Sequence, residues 1–191
     1  PMAKLNVVSA ASAEPVSIDE AQQWCRAEGT TDDATLSMLI AAARLDFERA
    51  TRRALITREI DWSFPAFSNV LRLPINPAVS VTSITYVDAD GDATAVSTDV
   101  YELTDGAEPH TVRLKYDQSW PDHRGGQGDD VVVRFKAGYG DTPADVPEDI
   151  RLILLQSVLQ AYDVRRLDGA PSGGLWTLGA AKVANSIPYL P

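Results

Sequence analysis

The spacing of apolar residues changes twice along this chain, and that alternation constrains the fold more than any single residue. Up to about residue 54, and again from residue 147, apolar positions recur every three or four residues, the period of an amphipathic helix. Between these stretches the chain breaks into short segments rich in β-branched residues, separated by Pro, Gly and Asp, which is the pattern of strands and turns. A chain of 191 residues has room for one domain or two small ones, and no internal repeat divides it.

A first helix is expected over 17–27. Ser17 and Glu20 have capping-box spacing, in which hydroxyl and carboxylate each satisfy an orphan backbone N–H. Ile18, Ala21 and Cys25 follow at helical spacing with Trp24 beside them, and Gly29 offers a left-handed stop. A second helix is expected over 33–51, opened by Asp32 or Asp33, whose charge suits the positive helix end. Its apolar stripe is Leu36, Leu39, Ile40, Ala43, Phe47 and Ala50. Arg44, Glu48 and Arg52 lie four apart on the other side and can pair along the surface. Arg49, Arg52 and Arg53 make the end of this helix basic, as the dipole prefers; contact with a partner is the alternative reading of that end.

The β-region is expected over 55–137, with Asp90–Gly91 as a hairpin turn because glycine accepts positive φ. A third helix, over 147–166, begins at Pro147, whose missing N–H costs nothing in a first turn. Ile150, Ile153, Leu154, Val158 and Ala161 form its apolar face, and Leu152, Leu155, Leu159 and Tyr162 widen it. A helix this apolar is buried on more than one side, against the first two helices or against a neighbouring subunit. The expected class is therefore α+β: a helical core of two N-terminal helices and a long C-terminal helix, an inserted small antiparallel β-region, and an extended C-terminal tail. Residues 1–14 read as a leader, 15–167 as the main domain and 168–191 as the tail. In the tail, Leu175, Trp176, Leu178, Val183, Ile187, Tyr189 and Leu190 follow a Gly/Pro joint. That segment is too short for its own core, so it packs back on the domain or buries in a partner, and the partner is the reading taken.

Composition narrows the chemistry. The net charge is −10, with Lys and Arg scattered, which argues against a phosphate-gripping nucleic-acid surface. The acid either keeps the chain soluble or makes a wall that DNA slides past. The longest apolar run, within 150–155, is too short for a membrane span, and no signal peptide is expected. Cys25 is the sole cysteine and reads as a buried structural thiol. His110 and His123 lie in turns, outside any triad or metal motif. Asp88, Asp90, Asp92 and Asp99 echo a calcium loop, but Gly91 stands fourth rather than sixth and strands flank it, so a hairpin is the reading. Trp62, Phe64, Phe67, Tyr86, Tyr101, Trp120 and Tyr139 read as core and edge packing rather than a stacking platform for sugar or nucleic acid. No catalytic residue, cofactor or metal is expected.

The order of segments resembles the head–tail connector (adaptor) family of tailed bacteriophages. Val16-Ser17-Ile18-Asp19-Glu20-Ala21 resembles its opening, and Asp32-Asp33 leading into Leu39-Ile40-Ala41-Ala42-Ala43 its second helix. Ala50-Thr51-Arg52-Arg53-Ala54-Leu55 is similar to the end of that helix, where the family usually has glycine at the position of Arg52. Ser119-Trp120-Pro121 resembles its Trp-Pro loop, and 131–139 followed by Val146-Pro147-Glu148-Asp149-Ile150 its most recognisable stretch. The resemblance covers roughly 15–162. It implies a homo-oligomeric ring, commonly of twelve subunits, in the neck of a virion or virus-like particle, made in a bacterial cytoplasm. The portal protein lies above, a tail-side stopper or tail terminator below, and DNA passes through the lumen without sequence-specific binding. No membrane partner is implied. Gene transfer agents carry similar subunits. On this reading Leu175, Trp176, Leu178, Ile187 and Tyr189 anchor the portal contact, and Arg49, Arg52, Arg53, Leu152, Leu155 and Leu159 the contact between subunits. The loops near 88–92 and 122–128 then meet the tail or a neighbour. A tail-completion or stopper protein and a small ligand-binding β module remain the alternatives.

Overall fold

The computed structural model describes residues 4–104, 106, 108–124 and 130–166, the last three by their backbone alone; the expected tail lies outside them. The chain divides into two compact units, a β-unit of 1–11 with 57–138 and a helical unit of 12–56 with the chain from 139 onward.

The β-unit holds eight strands: β1 (Leu5–Val7), β2 (Arg58–Phe64), β3 (Val70–Arg72), β4 (Ala78–Val87), β5 (Ala93–Ala95), β6 (Tyr101–Leu103), β7 (Thr111–Leu114) and β8 (Val131–Ala137). They form a five-stranded sheet of order β1-β2-β8-β4-β5 and a three-stranded sheet of order β3-β7-β6, with every pairing antiparallel. The central strand β8 alternates strictly: Val131, Val133, Phe135 and Ala137 are buried. Ile60 on β2 and Ile84 on β4 join them in the core. On the other face Arg134 donates a two-pronged fork to Asp61, its register partner, at 2.7 and 2.8 Å. Two register shifts let the ten residues of β4 run along the seven of β8. The second sheet buries Leu71, Tyr101 and Val112.

The hairpin between β4 and β5 follows from Asp88. Its carboxylate accepts from the N–H groups of Asp90 and Asp92 at 3.0 and 2.9 Å and from the Thr94 hydroxyl at 3.2 Å. Gly91 takes φ +96°, as the turn requires. The carboxylate that could have begun a calcium loop is thus engaged in the turn itself.

The helical unit holds α1 (Ile18–Cys25), α2 (Asp33–Thr51) and α3 (Glu148–Arg166). Ser17 and Glu20 form the capping box. α1 stops at Arg26, in left-handed backbone at φ +51°, ahead of Gly29. Leu36, Ile40, Ala43 and Phe47 of α2 and Ile150, Leu154, Val158 and Tyr162 of α3 are buried at helical spacing. Asp32 makes no side-chain cap to α2; its Oδ2 accepts from the Tyr162 hydroxyl at 2.6 Å.

An ionic chain ties this unit together. The Arg44 guanidinium bridges Glu14, at 2.7 and 3.0 Å, and Glu48, at 3.3 Å. Glu48 Oε1 accepts from the Leu55 N–H at 3.0 Å, just past the end of α2. Glu48, expected on the surface from its spacing with Arg44 and Arg52, is therefore buried. Its carboxylate is needed where the chain leaves the helix and the backbone N–H groups lose their helical partners.

The expected helical core with a small inserted β-region is overturned. The described residues hold three α-helices and eight strands in two antiparallel sheets, in roughly equal measure. The β-unit encloses its own core around Phe135 instead of hanging from the helices as an insertion. Nor does one long C-terminal helix organise the fold, since α2 and α3 are both 19 residues long.

Candidate interaction surfaces

On α3, Leu152, Leu155 and Leu159 follow each other at i, i+3 and i+7 and share a side of the helix. Leu154 and Val158 face the core, whereas Leu152 is 42 % exposed and Leu155 and Leu159 are half-buried. Leu159 and Asp163 line a groove of about 590 Å³ with Gln23, Trp24, Cys25 and Arg26 from the end of α1. Trp24 and Ile18 are also exposed. Burial, reinforced by the Asp163 carboxylate, pushes the Cys25 thiol up, so its reactive thiolate is suppressed.

The basic end of α2 does not form the patch expected of it. Arg49 is exposed, beside Asp46 at 3.8 Å, and Arg52 is exposed. Arg53 is only 9 % exposed; its guanidinium donates to the Tyr139 hydroxyl at 2.7 Å and lies 5.9 Å from that ring's centre. Sequence proximity grouped three arginines that packing separates.

In the β-unit the structure gathers four rings that sequence reasoning left scattered. Trp120 stacks on Phe67 at 4.7 Å and 6°, and Tyr86 and His123 meet the same Phe67 ring at 5.7 and 5.0 Å. Trp120 Nε1 donates to the Ser68 carbonyl at 2.8 Å, which fixes the Trp-Pro loop beside 67–68. The order of segments gave no signal for this pairing, because Phe67 lies in a loop rather than at strand spacing. Tyr116 is 98 % exposed at the tip of a turn closed by the Gln118 N–H on the Lys115 carbonyl. Leu5, Val7 and Val8 are exposed on and beside β1, and Val70 and Val79 elsewhere.

Among the described residues no group of three or more His, Cys, Asp or Glu could hold a metal ion. No described helix is long and apolar enough to cross a membrane. Leu175, Trp176, Leu178, Ile187 and Tyr189 lie outside the described residues.

No family model and no curated protein matches the sequence. Solved structures do match, over nearly the whole chain. A chain from the virion of a native gene transfer agent (GTA) particle is 25 % identical with a TM-score of 0.76, over 98 % of this chain and 96 % of that one. A chain from the C12-symmetric neck of a native GTA particle is 26 % identical, TM-score 0.72, over 94 % and 93 %. One from the C6-symmetric neck of an empty GTA particle shares the fold at 24 % identity and TM-score 0.77, over 96 % and 94 %. The chain resembles the phage-type neck proteins. The likeness read in its segments and the likeness of its fold agree. Where the connector family that the sequence resembles usually has glycine, this chain has Arg52, which closes α2 in left-handed backbone at φ +54°. An L side chain in that conformation carries a strain of about 1 kcal/mol.

Proposed function

We propose that the chain is a non-enzymatic structural subunit of the neck of a phage-like particle, an adaptor that forms a ring beneath the portal and lines the channel through which DNA passes. The observation that carries this reading is the fold, which both units share with gene transfer agent virion and neck proteins along almost their full lengths. The sixfold and twelvefold symmetries of those necks support a ring. A net charge of −10 suits a channel wall to which DNA does not stick.

In this reading Leu175, Trp176, Leu178, Ile187 and Tyr189 reach the portal, since aromatic anchors dominate most interfaces. Leu152, Leu155 and Leu159, with Arg49 and Arg52, meet a neighbouring subunit; Arg53 belongs to the fold through Tyr139. The test is binding of the full chain, beside a version ending at Asp168, to isolated portal rings. Binding by the full chain that is lost on truncation is expected. Binding kept by both would move the anchor to the folded units, and binding by neither would reject the adaptor. The sixfold symmetry of one similar neck favours a second reading, a stopper on the tail side, which would bind tail tube and ignore portal.

A further inference from the structure

Among the described residues the five-stranded sheet is open, and its two ends differ. At β1 the Ser63 N–H reaches the Lys4 carbonyl at 3.0 Å and the Val8 N–H reaches Glu59 at 2.9 Å. Residues 4, 6 and 8 thus turn their backbone groups toward β2, and Leu5 and Val7 turn theirs to the open side. At β5 the Val96 N–H reaches Ile84 at 2.8 Å and the Asp88 N–H reaches Asp92 at 3.0 Å. Residues 92, 94 and 96 therefore face β4, and Ala93 and Ala95 face outward. Each end offers two residues, spaced by two, with donors and acceptors ready for another strand.

We infer that β1 of one copy pairs with β5 of the next, so that the sheet continues from subunit to subunit around the ring. This rests on the ring reading above and names the surface that closes it. Three observations select a second copy as the occupant. The side chains complement each other in size: exposed Leu5 and Val7 at one end, exposed Ala93 and Ala95 at the other. The flanking charges are opposite: exposed Lys4 beside β1, exposed Asp90 and Asp92 beside β5. And the devices that keep natural edges apart, a proline or a charge within the strand, are missing from both 5–7 and 93–95.

Two unlike ends on one sheet are what a head-to-tail contact requires, and such a contact closes into a ring when its rotation fits. Strand spacing sets the scale: five strands at about 4.8 Å give roughly 24 Å per copy, and twelve copies a mean diameter of roughly 90 Å. One three-residue pairing is weak alone; ring closure holds each copy from both sides.

Three variants of the full chain, assembled on portal rings, test this. Val7→Pro removes an N–H that faces outward and spares the bonds of residues 6 and 8 to β2. It is expected to fold and melt like the unsubstituted chain and to lose the ring by electron microscopy. Separately, Val7→Cys is combined with Ala93→Cys or Ala95→Cys in a Cys25→Ala background and oxidised. One of the two pairs, depending on strand direction, is expected to give a ladder of chain multiples that collapses on reduction. Intact rings of Val7→Pro, with no ladder from either pair, would overturn the edge contact and leave the ring standing. Absence of rings from the unsubstituted chain would overturn the ring reading, and this inference with it.

Discussion

The two units are held together by different means. The helical unit relies on a few buried or half-buried polar groups in and beside its helices: Glu48 on the Leu55 N–H, Arg44 between two glutamates, Arg53 on Tyr139, Asp32 on Tyr162. The β-unit relies on an alternating apolar strand, β8, and carries a two-pronged ion pair, Asp61–Arg134, in which Arg134 is 41 % exposed and Asp61 15 %. A buried carboxylate with two partners fixes geometry because losing it strands both. A partly solvated pair can be lost to water at little cost. Breaking the buried Glu48 contacts of the helical unit should therefore cost more than breaking the half-solvated Asp61–Arg134 pair of the β-unit.

The largest expected effect is that of Glu48→Ala. It leaves the Leu55 N–H and the Arg44 guanidinium short of an acceptor in a site where the Glu48 side chain is 5 % exposed and that of Arg44 12 %. A loss of about 3 kcal/mol is expected, read by urea denaturation. Asp61→Ala should cost about 1 kcal/mol or less, and equal losses from the two would erase the distinction between the units. Next comes Gly140→Ala. A β-carbon at Gly140 would overlap the Asp145 side chain, which is pinned by the N–H and hydroxyl of Thr142. About 2 kcal/mol is expected from the shift this forces, and a melting temperature unchanged by the substitution would contradict it. A smaller effect of opposite sign is expected at the end of α2. Arg52→Gly should stabilise the unit by about 1 kcal/mol, because glycine adopts positive φ without the clash an L side chain makes.

What could be read in the sequence was whatever is local. The Ser17–Glu20 box and the stripes through Phe47 and Leu154 depend on spacings of three and four residues, which the chain displays directly. What could not be read depends on distant partners. β2 and β8 pair residue 58 with residue 137, and no local pattern announces that these strands enclose a core of their own. That is why the β-region looked like an insertion on a helical body. β1 was hidden for another reason: a three-residue strand exposed along its length has no alternation to detect, so 5–7 read as leader. Glu48 was assigned to the surface by helical period, which ignores a need that arises seven residues later at Leu55. The interaction surfaces divide in the same way. Leu152, Leu155 and Leu159 share a side of one helix, as their spacing requires. Arg53 was misgrouped because its partner, Tyr139, is 86 residues away.

The smallest expected effect separates the units by acid. Burial pushes Glu20 up, but the N–H and hydroxyl of Ser17 and the charge of Arg151 outweigh it and hold the carboxyl below its ordinary 4.5. In the β-unit the Asp92 N–H, then the Thr94 hydroxyl and the Asp90 N–H, hold the Asp88 carboxyl below its ordinary 3.8. Each acid has a lower pKa folded than unfolded, so its contribution is fully present above the ordinary value. It is lost as pH falls through that value to the depressed one. Acid should therefore loosen the start of α1 below pH 4.5 and the β4–β5 hairpin below pH 3.8. Carboxyl titration by NMR reads both, and Ser17→Ala is the discriminating variant. It should bring the Glu20 midpoint up toward 4.5 and leave that of Asp88 where it was. A Glu20 midpoint that does not move would mean that the Ser17 hydroxyl contributes nothing to the cap, and that the Ser17 N–H and Arg151 alone hold the carboxylate.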